Sequence, residues 1–310
     1  MQAKVVFLYI VMCLVWGTTW LAIKFGVESL SPILFTASRF LAATIILGLV
    51  LLAKKVPLRL VKSEVKPILF LSVFGIALPF SLVSWGEQYT NSAMGAIIMC
   101  ALPLAIFPIS YLLKSFEKLT SAKLLGVIVG FAGVSFIFYP ALIAGVGSLK
   151  GNLALIMAML VCSIATVYLK KYTGHISVSK CLFFQMAFAC PMLISAGLLI
   201  ESPTKFLQGL ANWQALAAIF YLAIFGSIIA LGSYYWLLKR IGAVASTVSI
   251  FLEVVLAVFL DWLIFAAIPH YYTWFGVVLI FMGVWLVMVG VPLPLRTSFW
   301  QKVFVKQTPA

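Results

Sequence analysis

The chain has 310 residues, 65% hydrophobic and 9% charged, with a formal net charge of +14. A water-soluble domain carries roughly 25% charged residues, so there is too little polar side chain here to coat a globule, and the apolar residues must face lipid as well as each other. Nor is the basic excess that of a nucleic-acid binder: the 21 Lys and Arg sit in short clusters between apolar runs rather than on a polar face interleaved with aromatic residues, and no nucleic-acid partner is expected.

A membrane-crossing helix needs about 20 predominantly apolar residues. The first run, 4–26, follows Lys4 as a signal peptide would, but it is long enough to span and no small-residue cleavage site follows a short core, so it reads as a retained span. Further runs lie near 32–53, 67–86, 92–113, 122–141, 151–170, 178–200, 213–238, 242–264 and 273–292, making ten. Links such as Val27–Ser31 and Glu87–Asn91 are so short that neighbouring helices must be antiparallel and close. With the N-terminus in the cytoplasm, the inside segments collect every Lys and Arg except Lys24, Arg39, Lys150 and Lys205. By the positive-inside rule this predicts a multi-pass inner-membrane protein with both termini cytoplasmic. Pro79, Pro103, Pro108 and Pro191 fall inside spans, where each removes a backbone donor and can kink its helix.

The two halves repeat. Gly126–Val134 matches Gly276–Val284 at five of nine positions, at an offset of 150. Related segments precede each copy, from Thr90-Asn91-Ser92-Ala93 and from Ile241-Gly242-Ala243-Val244. Five spans per half is an odd number, so the second copy enters the membrane inverted, a common architecture of transporters. The expected fold is an all-α polytopic membrane protein of ten transmembrane helices, as two inverted five-helix repeats around a central cavity. The boundaries are 1–146 for the first repeat, 147–294 for the second and 295–310 for a basic tail.

The ordered motifs Leu14-Val15-Trp16-Gly17-Thr18-Thr19-Trp20, Phe35 through Arg39-Phe40, Tyr89-Thr90 through Ala93, Pro103, and Glu117-Lys118-Leu119-Thr120 leading into Gly126 and Gly133 carry a family resemblance. Over nearly its whole length the chain resembles the EamA-like ten-helix members of the drug/metabolite transporter superfamily. It departs from that pattern at three places. Glu253 is followed by Val254 where the family usually has proline, Ala267 stands where a glutamate would fall, and one extra residue separates Pro103 from Glu117. The resemblance implies a basket-like bundle with a central cavity, alternating access, and export of amino acids or other small metabolites.

Glu253 is the most informative residue for function. It falls about eleven residues into the ninth span, near the bilayer midplane at about 1.5 Å per residue. A carboxylate there is costly to keep charged and should face the bundle interior or water, which suits a substrate site or proton binding. The other reading is a protonated acid that hydrogen-bonds a neighbouring helix. Ser246 and Ser249 precede Glu253 on the same helical face. Asp261, two turns on, is a second candidate for proton or ion coupling, or simply an interfacial carboxylate. Arg39 cannot shed its charge. It is read as a structural charge paired with an outer-side acid such as Asp261, with binding of an anionic substrate group as the alternative. Trp16 and Trp20 share a face one turn apart and, with Thr19, suggest an aromatic wall for an amphipathic or ring-bearing solute, the other reading being close helix packing around Gly17. Ser84 and Trp85 in the third span, and Tyr234 and Tyr235 in the eighth, complete the candidate substrate-binding set.

The five cysteines, Cys13, Cys100, Cys162, Cys181 and Cys190, have no metal-ligand spacing, and neither a cofactor nor a metal is expected. There is no Gly-x-Ser-x-Gly, His-Glu-x-x-His or mid-depth aspartate pair, and His175 and His270 fall in or near loops, so an intramembrane enzyme is the weaker reading. A passive channel is the other alternative. The expected partners are a small-molecule solute and the lipid bilayer, with the protein a monomer or homodimer.

Overall fold

Alternating runs of apolar sequence and basic links give ten helical segments in a computed structural model of the chain. The structure describes residues 2–90, 92–115, 120–139, 143, 148–265 and 270–289; for Gln2, Ser92, Ala93, Ala257 and residues 260–265 it describes the backbone alone. We number the segments α1 (Gln2–Ser29), α2 (Pro32–Ala53), α3 (Lys62–Gly86), α4 (Ser92–Cys100 continued by Leu102–Leu112), α5 (Ser121–Ile137), α6 (Leu149–Tyr172), α7 (Val178–Ile200), α8 (Trp213–Ile241), α9 (Ala243–Thr247 continued by Ser249–Phe265) and α10 (Tyr271–Val289). Eight are long and apolar enough to cross a membrane, while α5 and the apolar part of α9 are shorter. No strand occurs among the described residues. The protein is an all-α polytopic membrane protein. The structure adds a short helix, Pro203–Gly209, between α7 and α8, and starts α3 earlier than its apolar run does.

The packing follows the repeat. α1 lies against α8 and α9, as its counterpart α6 lies against α3 and α4. Likewise α2 contacts α8 while α7 contacts α3, and the like pairs α2–α7 and α5–α10 join the two halves. The repeat also appears in the winding of the chain. α3 opens into a wide π-helical stretch at Ser72–Ala77, and α8 does so at Leu222–Ala230. The two stretches start at the same offset as Gly126 and Gly276. Pro79 accounts for part of the first, because its missing N–H leaves a carbonyl of the preceding turn free. Two further helices are interrupted, α4 at Ala101 and α9 at Val248, and these helices too are counterparts.

The glycine motif explains the α5–α10 contact. A Cβ on Gly133 would lie 2.6 Å from the carbonyl oxygen of Gly276, and one on Gly276 would lie 2.5 Å from that of Gly133. Gly126 and Gly283 meet in the same reciprocal way. With lipid tails as apolar as the helices, close backbone approach through small residues is what holds such a pair together.

At the α1–α2 turn, the second repeat caps the first. Pro32 has no N–H to satisfy and Ser31 makes no side-chain cap. Instead both carboxylate oxygens of Glu201 accept hydrogen bonds from the start of α2, from Ile33 N at 2.8 Å and Leu34 N at 3.0 Å. Asn212 Nδ2 donates to Ser29 Oγ at 2.8 Å alongside. Removing this cap as Glu201→Ala should cost about 1 kcal/mol. A thermal midpoint in detergent equal to that of the native chain would refute the capping role.

Candidate functional site

The interrupted and widened helices converge on one cavity of about 170 Å³. Its wall draws on α1, α2, α3 and α4 from the first repeat and on α6, α8 and α9 from the second. The wide turn of α3 contributes Gly75 and is followed by Pro79, Phe80 and Val83. The interruption of α4 is flanked by Met99 and Leu102, and that of α9 by Thr247 and Ser249. Discontinuous helices are where membrane transporters place polar groups at mid-depth, because the local backbone is freed from the regular ladder there.

Glu253 is 5% exposed and lines this cavity. Its Oε1 accepts a hydrogen bond from Ser249 Oγ at 3.2 Å, one turn earlier. Ser246 does not join them: its hydroxyl donates to the carbonyl of Gly242 in its own helix, at 2.6 Å. α1 and α4 support the carboxylate-bearing segment through backbone carbonyls of α9. Tyr9 OH donates to Ala245 O at 3.2 Å, and the thiols of Cys13 and Cys100 lie 4.0 and 3.9 Å from Ser249 O and Ile250 O. A Cβ on Gly17 would meet the carbonyl oxygen of Glu253 at 3.3 Å, so glycine here lets α1 approach α9 closely.

Trp16, Thr19 and Trp20 all reach the cavity from α1. The Trp16 ring leans on Tyr234, with centroids 5.3 Å apart. Tyr234 shares a 2.8 Å hydrogen bond with Thr166, and Tyr235 OH donates to Gln185 Oε1 at 2.7 Å. The two tyrosines therefore stand as fixed walls, Tyr235 tied to Gln185 and Tyr234 to Thr166, which also lines the cavity. Ser84 and Trp85 are not brought to the cavity: Ser84 is buried in a 2.8 Å hydrogen bond with Thr36, and Trp85 packs on Tyr89 at 4.8 Å.

Arg39 is 4% exposed and also lines the cavity. Its Nε donates to Ser227 Oγ at 2.9 Å, and its guanidinium lies 5.0 and 4.9 Å from the rings of Phe40 and Phe80. Ser227 belongs to the wide turn of α8. The sequence reading missed this seat. The signal for it is the recurrence of Phe74-Gly75 as Phe225-Gly226 in the repeat-related helices. The expected pairing with Asp261 lies outside the described residues, since that side chain is not among them.

Lysines gather at one end of the bundle. Lys239 Nζ donates to the carbonyls of Thr173 and Ile176 after α6, Lys171 Nζ to that of Leu113 after α4, and Lys180 pairs with Glu64 at the start of α3. Each of these ties one helix end to another at the same face. At that end Trp236 sits beneath both Lys4 and Arg240, as an aromatic residue of the interfacial belt would.

The sequence model of the EamA-like transporter family matches the chain twice, over residues 3–139 and 149–289. The chain belongs to the EamA-like transporter family. It is 29% identical over 279 residues to an uncharacterized transporter of Buchnera aphidicola subsp. Schizaphis graminum, covering 87% of this chain and 90% of that one. It is 25% identical to protein PagO of Salmonella typhimurium, covering 96% of each. It is 28% identical to the uncharacterized inner membrane transporter YedA of Escherichia coli K12, covering 80% of this chain and 78% of that one. A solved crystal structure shares the fold at a TM-score of 0.74 and 20% identity, covering 93% of this chain and 97% of the other. This EamA-like chain is thus a multi-pass membrane transporter of two-repeat fold, and its cavity is the candidate solute site.

Proposed function

We propose that this EamA-like protein is a secondary transporter that exports small organic metabolites with an apolar or ring-bearing body by alternating access. The observation that carries the reading is a cavity built by helices of both repeats, with the buried carboxylate of Glu253 in its wall. Inverted halves can exchange roles on the two membrane faces, so a site shared between them opens alternately to each side. In this reading Trp16, Thr19, Trp20, Tyr235 and Ser249 shape the solute site, and Glu253 binds solute or a coupling proton. The lysine-rich end faces the cytoplasm in accordance with the positive-inside rule, which also puts the N-terminus there. Outward movement is the direction implied by the resemblance to exporters of amino acids and other metabolites.

The test is uptake of a panel of labelled amino acids and small organic acids into proteoliposomes. A carrier gives flux that saturates with solute concentration for some members of the panel. Flux rising linearly with gradient would make the cavity a channel, and no flux above that of empty vesicles would remove the transport reading of this site.

A further inference from the structure

We propose that Arg39 is the binding group for a carboxylate of the transported solute, which is a small monoanionic carboxylate with an apolar or ring-bearing body. This rests on the cavity being a solute site. The argument begins with charge. A guanidinium cannot be deprotonated in a protein and carries five N–H donors in a planar fork. Arg39 is 4% exposed and sits well inside α2, where an uncompensated cation is costly. Its seat uses one donor, Nε, on the neutral hydroxyl of Ser227. Among the described residues no Asp or Glu oxygen lies within 4.0 Å of it.

The described surroundings hold the fork in place through aromatic rings and a neutral hydroxyl. Phe40 and Phe80 flank the guanidinium, and Gly226 keeps the adjacent turn of α8 clear: a Cβ there would stand 3.2 Å from Nη2. Arg39 is part of the cavity wall, and among the described residues its side chain makes one hydrogen bond, from Nε. A planar fork matches a carboxylate in a two-point contact, which a lysine would not offer.

The cavity selects among anions. Arg39 is the one Lys or Arg in its described wall and Glu253 the one Asp or Glu, so with Glu253 protonated the wall balances one negative charge rather than the two of a phosphate ester. The rest of the wall is largely apolar and aromatic, with Trp16, Trp20 and Tyr234 on the side of α1 and α8. That surface suits an apolar or ring-bearing body attached to the carboxylate.

The experiment uses matched probes in proteoliposomes: phenylacetate against phenylacetamide, and 3-phenylpropionate against 3-phenylpropanamide. The native chain should take up at least one acid about tenfold faster than its amide, the value of one lost charge-assisted contact. Arg39→Gln should bring that ratio close to one. Arg39→Lys, which keeps the charge and lets the site fold where glutamine does not, should raise the half-saturating concentration of the acids and leave that of the amides unchanged. Saturable uptake of acid and amide at equal rates by the native chain would overturn the carboxylate subsite while leaving the transporter reading intact. So would an acid preference that survives Arg39→Gln, or an Arg39→Lys effect equal on acids and amides. Absence of saturable uptake of all four probes, with saturable uptake of other members of the wider panel, would overturn the ring-bearing carboxylate assignment and leave the transporter reading standing; absence across that panel as well would overturn both.

Discussion

Glu253→Gln should reduce solute flux by about tenfold to a hundredfold, the value of one hydrogen bond to a charged group. The substitution keeps the volume and an acceptor for Ser249 Oγ, which bonds the native carboxylate at 3.2 Å, so the local packing of α9 is preserved. What it removes is the ability to hold a negative charge or a proton at mid-depth. If Glu253 carries the coupling proton, residual flux in the variant should also stop responding to an imposed pH gradient. The groups packed around this segment, Tyr9, Cys13 and Cys100, bond or approach backbone carbonyls of α9, so none of them replaces a carboxylate in the cavity wall. Initial rates in proteoliposomes at matched protein density check the prediction. Flux and pH response equal to the native chain would leave Glu253 a packing residue.

The second large effect is on stability. Gly133→Leu should lower the thermal midpoint in detergent by about 5 °C or more, from an overpacking cost near the upper end of about 1–3 kcal/mol. The reason is that the new side chain meets backbone, not a side chain that can turn away: the Gly276 carbonyl lies 2.6 Å from where its Cβ would be. α5 and α10 would have to separate, and with them one of the contacts that join the two repeats. Gly174 provides the control, because a Cβ there meets nothing within 4 Å. Gly174→Ala should leave the midpoint where it is. An unchanged midpoint for Gly133→Leu would mean that the glycine motif does not set the helix spacing.

Features that show as local anomalies of composition could be read from the sequence. Ten apolar runs, basic residues in alternate links and the matched glycines of 126–134 and 276–284 are enough to place helices and suggest two inverted halves, because each is set by the bilayer or by backbone contact. Glu253 stood out for the same reason: an acid inside a long apolar run is expensive. Other parts of the site depend on contacts between distant residues. Nothing near Arg39 in sequence points to Ser227, and nothing near Pro32 points to the Glu201 cap. The wide turns of α3 and α8 also defeat extrapolation of helical faces. Residues counted at 3.6 per turn through Ser72–Ala77 fall out of phase beyond it. Ser84 and Trp85, nominated as solute contacts, pack instead on Thr36 and Tyr89. The interruptions at Ala101 and Val248 were not visible either. Pro103 hinted at the first, but the second has no proline or glycine to announce it.

The central claim is that the cavity shared by the two repeats carries solute between the membrane faces in alternation. Counterflow tests it most directly. Vesicles containing the protein are loaded with an unlabelled solute that it transports, then diluted into a trace of the same solute carrying a label. Alternating access predicts transient accumulation of label inside, above its outside concentration, because returning sites are occupied mainly by internal solute and load label outside. Equilibration of the label without overshoot, at a rate independent of the internal load, would contradict it.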